Sequence, residues 1–225
     1  MLAPTLLYED THLIVLSKPA GLLSQGEKTG DENLVDWLRV YLGRNFVGLV
    51  HRLDRNTSGV MVVAKRSKSA QRLTDQLQSG KLERTYLAWV QGTLTDQHVW
   101  AHHLWKDSKK NTVHVVTASH PRGHPASLLA TPIGRGVFKG LSLTLVEFML
   151  QTGRSHQIRV QSAHEKHPLL GDHKYGGSTL FPRPALHSHR LAFEHPMSGE
   201  IMQIGAPLPQ DMAAIEILPL GSTFK

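Results

Sequence analysis

Short apolar runs, separated by Gly, Pro and polar clusters, set the pattern of this chain. Leu6 to Tyr8 and His12 to Leu16 read as two strands across a tight Glu9-Asp10-Thr11 turn, and Lys18-Pro19-Ala20-Gly21 stops the second. From Asn33 to Leu42 the spacing of Leu34, Leu38, Tyr41 and Leu42 predicts a helix that Gly43 ends. A second helix is predicted over Ser67 to Gln78, with Ser67 as its cap, Leu73 and Leu77 on one face, and Gly80 as terminator. Strands are predicted at Val47 to Val50, Val60 to Ala64, Thr85 to Gln91, Thr112 to Val116 and Leu128 to Thr131. Leu141 to Leu150 opens with strict alternation, as a strand with one wet face does. Gln157 to His164 reads as a short helix, and Leu186 to Phe193 and Ile201 to Ile204 as closing strands around a Pro196-Met197-Ser198-Gly199 turn. This order lacks regular βαβ alternation. It predicts an α+β class, a mostly antiparallel mixed sheet with flanking helices, rather than a doubly wound nucleotide-binding fold. No linker interrupts it, so one domain over residues 1–225 is expected.

Composition narrows the chemistry. The 225 residues include no Cys, which excludes a disulfide scaffold, a thiol nucleophile and a thiolate metal site. The net charge of +7 and sequence pI of about 9.8 favour a polyanionic partner. The N-terminus lacks a basic start and an unbroken apolar core, and no stretch approaches the roughly 20 apolar residues of a membrane helix. A soluble, cytoplasmic protein without membrane contact is expected. Asp96 to Pro125 interleaves His98, His102, His103, His114, His120 and His124 with Trp100, Trp105, Lys106, Lys109, Lys110 and Arg122. Such a segment suits single-stranded RNA, and an exposed basic hairpin without base contacts accounts for it equally well. The histidines form no HExxH pattern, and no metal site is expected.

The densest chemistry lies in His51-Arg52-Leu53-Asp54-Arg55-Asn56-Thr57-Ser58-Gly59, between two apolar strands, where a rigid frame displays a loop. Asp54 stands between Arg52 and Arg55, and a nearby guanidinium would keep its carboxylate ionised. An ionised carboxylate beside a sugar can act as nucleophile or stabilise positive charge at the anomeric carbon. From composition alone, an Arg–Asp surface pair in a turn accounts for the segment as well.

The segment resembles the HRLDxxTSG signature of the RluA-type pseudouridine synthases. Further elements resemble that family in order: Ser17 to Gly21 its NKPAG element, Arg84 to Gly92 its KxYxAxVxG strand, and Thr152 to Val160 its TGRxHQIRV segment. His167 to Asp172 with Tyr175-Gly176 resembles HPixGDxxYG, and Leu186 to Phe193 with His195-Pro196 resembles LHAxxLxFxHP. The resemblance runs from about Leu6 to Pro209. It implies the pseudouridine synthase catalytic fold with no S4-like region, and isomerisation of uridine to pseudouridine in ribosomal or transfer RNA. It implies no metal, no organic cofactor and no obligate protein partner.

Residue by residue, the resemblance implies that Asp54 is the catalytic aspartate, whether it adds to the sugar, adds to the base or stabilises an eliminated intermediate. It implies that Arg159 pairs with that carboxylate and that Tyr86 stacks on the target uracil, its hydroxyl available for proton transfer. Arg52 is expected to fill the space left by an everted nucleotide, with Arg154 and Lys18 as phosphate contacts. Two positions depart from the pattern: Arg84 stands where the family usually has Lys, and Lys166 where it often has Gly.

Overall fold

The computed structural model describes residues 2–27 and 30–221. Its elements are β1 (Thr5–Glu9), β2 (Leu13–Lys18), α1 (Leu34–Leu42), β3 (Gly48–Leu49), β4 (Ser58–Ala64), α2 (Ser67–Gln78) and β5 (Glu83–Gln91). There follow β6 (His98–Asp107), β7 (Thr112–Val116), β8 (His124–Phe138), β9 (Leu141–Leu150) and α3 (Gln157–His164). The last are a 3-10 turn (His173–Tyr175), β10 (Leu186–Glu194), β11 (Ile201–Gly205) and α4 (Gln210–Ala213). The class is α+β with mostly antiparallel pairing, as the sequence pattern predicts. Among the described residues, no helix is long and apolar enough to cross a membrane.

The chain forms two compact units. The first comprises Met1–Arg84 and His187–Leu208, the second Thr85–Leu186 and Pro209–Lys225. In the first unit the strand order is β1-β2-β4-β10, with β11 on β10 and β3 on β4. The pairs are antiparallel except β4 with β10, which run parallel at Ser58↔His187 and Gly59↔Ser188. Strand β4 is buried along its whole length and packs with Leu13, Val15, Leu73, Leu191 and Phe193 in one apolar cluster. Leu34 and Leu38 are the buried face of α1. Its N-terminus is capped by Asn33, whose side chain accepts from Asp36 N–H, and Gly43 closes it at φ 61°. Helix α2 begins and ends where its periodicity predicts, but its cap differs. Arg66 holds the N-cap position and no side chain closes that end, because Ser67 already lies inside the helix.

The second unit is antiparallel, in the order β5-β9-β8-β6-β7. Trp89 is fully buried and its indole N–H donates to the Met212 carbonyl, which ties α4 to β5. The close approach of Trp89, the Glu216 carbonyl and the Ile215 side chain explains Gly136, where a Cβ would stand 2.8 Å from the indole. Strand β6 is not legible in the sequence pattern. Its buried positions, Trp100 and Leu104, are four apart, and the residues between them are Ala101, His102 and His103.

His51 shows how burial sets the pH response of the first unit. Its Nε2 accepts from Val62 N–H at 3.2 Å, which places the ring proton on Nδ1. Burial, and then the Arg84 charge, push its pKa down from 6.5 to about 3. The folded state therefore keeps His51 neutral where the unfolded chain binds a proton. Its contribution is fully present above pH 6.5 and is lost as pH falls towards 3, at about 1.4 kcal/mol per pH unit. Urea unfolding between pH 7 and 5 is expected to show this extra proton uptake, and His51→Gln, whose amide oxygen can accept from Val62, is expected to remove it. Equal pH slopes for the two proteins would contradict the assignment.

Candidate active site

The segment from His51 to Gly59 is clamped on both sides of Asp54. Before it, Leu53 is buried, its carbonyl accepts from Ser24 Oγ at 2.7 Å, and its N–H donates back to Ser24 Oγ at 3.1 Å. After it, the Arg55 carbonyl accepts from Gly21 N–H at 2.8 Å and from Lys18 Nζ at 3.1 Å. Thr57 N–H donates to the Asp54 carbonyl at 3.0 Å and closes the turn. Backbone and buried groups thus hold Asp54 at the tip, half-buried, while Arg52 points outward and is exposed.

The far root of the loop is fixed by the parallel strand. His187 Nε2 lies 3.2 Å from the Ala206 carbonyl, which can only accept, so the ring proton sits on Nε2. Nδ1 then accepts from Ser58 Oγ at 2.9 Å, with both side chains buried. At the next position Gly59 adopts φ +117°, and a Cβ there would fall 2.1 Å from the Ser188 carbonyl oxygen. No other residue fits that approach. The TSG end of the segment is therefore a structural root of the Asp54 loop.

Two expectations for nearby cations change. Lys18, expected as a phosphate contact, is wholly buried, and its ammonium donates to the carbonyls of Pro19, Leu22 and Arg55 at 3.0, 2.7 and 3.1 Å. It ties the Ser17–Gly21 segment to the Asp54 loop and is out of a phosphate's reach. Arg55 turns its guanidinium to Asp31, at 2.8 Å, and to the Gly21 carbonyl.

In the second unit Tyr86 lies on β5, 6% exposed and opposite Phe148 of β9. Arg159 projects from α3, whose entry is built by Thr152, Ser127 and Gln157. Ser127 N–H donates to Thr152 Oγ1, and Gln157 Oε1 accepts from Thr152 Oγ1 and from Arg154 N–H. Arg154 is exposed and donates through Nε to the Pro125 carbonyl. The guanidinium of Arg159 is gripped by Asp172, Nε to Oδ2 and Nη2 to Oδ1, both at 2.7 Å. Asp172 is fully buried. The Tyr175 ring lies 5.2 Å from the same guanidinium, and its hydroxyl accepts from Val113 N–H at 2.9 Å and contacts His156 Nδ1 at 2.7 Å. Sequence reasoning assigned Asp172 no role, although the Gly171-Asp172 pair within the HPixGDxxYG-like element marks it.

The His-rich segment divides between core and surface. Trp100 is buried against Phe148 and is unavailable to RNA. Trp105 sits in a surface cluster with Arg122 at 4.7 Å and the rings of His114 and His120 at 5.7 and 5.4 Å. His102, His164 and Glu165 bring their ligand atoms within 4.8 Å of one another. Gln161 Nε2 is oriented by the Trp100 carbonyl and donates to His102 Nδ1 at 2.9 Å. This leaves the ring proton on Nε2, where Glu165 accepts it at 2.9 Å. A metal at that nitrogen would have to displace a satisfied hydrogen bond, so this donor set does not fit a preformed metal centre.

Comparison with known proteins defines the class. Residues 12–164 match the family described as RNA pseudouridylate synthase. The chain is 36% identical to ribosomal large subunit pseudouridine synthase D of Xanthomonas campestris pv. campestris, over 92% of this chain and 66% of that protein. It is also 36% identical to the RNA pseudouridine synthase YhcT of Bacillus subtilis, over 92% of this chain and 69% of that one. The chain thus spans about two thirds of the length of these curated relatives. The structure of human RNA pseudouridylate synthase domain containing 1 superposes with a TM-score of 0.81, covering 99% of this chain and 91% of that one at 22% identity, and shows the same fold. The chain belongs to the RNA pseudouridylate synthase family, a family of isomerases.

Proposed function

We propose that this chain converts specific uridines of ribosomal or transfer RNA to pseudouridine, with Asp54 as the essential carboxylate. In that reaction the N1–C1′ bond breaks, the uracil turns, and C5 bonds to C1′. N1 gains a proton and C5 loses one, so no co-reactant is needed. The observation that carries the reading is the Asp54 loop. Its backbone is fixed by Ser24, Lys18 and Gly21, while the flanking Arg52 stays exposed. A carboxylate on a fixed backbone loses little orientational freedom when the nucleotide arrives.

In this reading Arg159 holds the Asp54 carboxylate charged, Tyr86 stacks on the uracil, and Arg52 enters the duplex as the target nucleotide leaves it. Arg154 contacts phosphate. The Trp105–Arg122 cluster supplies a basic aromatic surface for neighbouring nucleotides. The whole chain then works as one catalytic domain.

The test has two parts. Pseudouridine mapping of total RNA, with and without the gene, is expected to show at least one ribosomal or transfer RNA position that loses the modification. Purified protein is expected to release tritium from a 5-tritiated uridine transcript carrying that position, and to do so after exhaustive chelation. An unchanged map together with no tritium release would refute the activity.

A further inference from the structure

The first unit holds a polar cleft of about 370 Å³ away from the Asp54 loop, lined by Arg44, Lys65 and Arg66 with Glu9, Thr11 and Tyr41. Ser58 and Gly59 root the Asp54 loop at one end of β4, whereas Ala64 at the other end leads directly into Lys65 and Arg66. At about 3.3 Å per residue, that strand separates the two places by roughly 20 Å.

Charge in the cleft is not balanced internally. Glu9 is its one carboxylate, and both oxygens are committed: Oε1 accepts from Lys65 Nζ at 2.6 Å and Oε2 from Tyr41 OH at 3.0 Å. The Lys65 hydrogen bond holds the Glu9 carboxyl below its ordinary range, so this pair stays ionised and answers itself. Lys65 also donates to the Asp10 carbonyl. Arg44 adds its charge to that acting on the Glu9 carboxylate. It follows the left-handed Gly43 that ends α1, and its Nε and Nη2 are shut off from solvent with no hydrogen-bond partner among the described residues. Two buried guanidinium donors without an acceptor are costly unless something supplies one. Arg66 is exposed and forms the N-cap of α2, a helix with no acidic residue in its first turn and no capping side chain. That helix end adds positive potential beside the two arginines.

We infer that this cleft binds a phosphate group of the RNA substrate, at a point remote from the target uridine. The shape of the donors fits, since guanidinium forks match phosphate oxygens in pairs. The inference rests on RNA being the substrate, as proposed above. An RNA stem that engages both places must span the roughly 20 Å between the Asp54 loop and the cleft. RNA that ends short of this span is bound without using the cleft.

Arg44→Gln and Arg66→Gln in the full chain test it; Arg66 is exposed, so its variant does not depend on repacking. Each is expected to weaken binding of a long stem-loop roughly ten-fold, the scale of one charge-assisted hydrogen bond. Each is expected to flatten the dependence of log affinity on log salt by about one. Affinity for a truncated hairpin, and conversion of either RNA at saturation, are expected to stay within two-fold of the parent protein. In parallel, inorganic phosphate titrated into the parent protein is expected to shift the amide resonances of Arg44, Arg66 and Ser67 saturably, and not in Arg44→Gln. Phosphate shifts without any loss of long-RNA affinity would overturn the RNA assignment and leave the cleft to a free phosphate ligand. No shift and no length-dependent loss would overturn the site altogether. If the parent protein forms no pseudouridine while long-RNA binding still depends on Arg44, the proposed activity fails and the cleft stands.

Discussion

Asp54→Asn is expected to fold, to bind RNA, and to form pseudouridine at least about 10³-fold more slowly, the scale of removing a positioned nucleophile or acid–base group. Asn is nearly isosteric with Asp and differs in charge and nucleophilicity. The contacts that shape the loop run through the Leu53, Asp54 and Arg55 backbone to Ser24, Thr57, Gly21 and Lys18. These contacts are made by backbone atoms that the substitution leaves in place, so the loop is expected to keep its form. Single-turnover tritium release at saturating RNA measures the chemical step, and a melting curve checks the fold. Turnover within ten-fold of the parent protein would remove Asp54 from the reaction. Loss of RNA affinity together with rate would point to a binding role instead.

The elements that carry this site were largely legible in the chain, and what was hidden has a physical reason in each case. Helix α2 and strand β9 fall at the residues their periodicity predicts, because each has an apolar face that packs within a single unit; α3 and β7 also fall at the expected residues, although α3 buries Gln157, Gln161 and Ser162 beside Ile158 and Val160. The parallel pairing of β4 with β10 was not legible. It joins residues 129 apart through Ser58 and His187, and no local pattern reports such a partner. Lys18 was misplaced because a lysine beside Pro-Ala-Gly reads as surface charge. Its burial depends on three carbonyls converging from Pro19, Leu22 and Arg55, the last of them 37 positions away. The two-residue β3 replaced a longer expected strand over Val47 to Val50, where pairing with β4 ends at Leu49. Of the candidate site residues, Asp54, Arg52, Tyr86, Arg159 and Arg154 were reached through motifs. Asp172 and Arg44 carry weight only through neighbours that folding supplies.

Asp172 leads to the second large effect. It meets Arg159 in a two-pronged pair at 2.7 Å, itself fully buried, with the Arg159 side chain 11% exposed. The backbone around it tolerates little adjustment. Gly171 takes φ +75°, and a Cβ there would lie 2.0 Å from the Arg183 carbonyl oxygen. At Gly177 a Cβ would lie 2.1 Å from that of Leu169. Asp172→Ala breaks this two-pronged buried pair, a change that costs about 3–5 kcal/mol. That loss is expected as a lower urea midpoint with little change in the slope. Removing both charges, in Arg159→Met with Asp172→Leu, is expected to recover most of the lost stability, since apolar replacement of a buried pair is often neutral. Activity is expected to follow a different course: the double variant stays inactive, because the proposed charge facing Asp54 is gone. A stable and active double variant would reduce Arg159 to a structural cation. An Asp172→Ala protein within about 1 kcal/mol of the parent, well under the cost of breaking a buried ion pair, would show that the pair does not hold α3 in place.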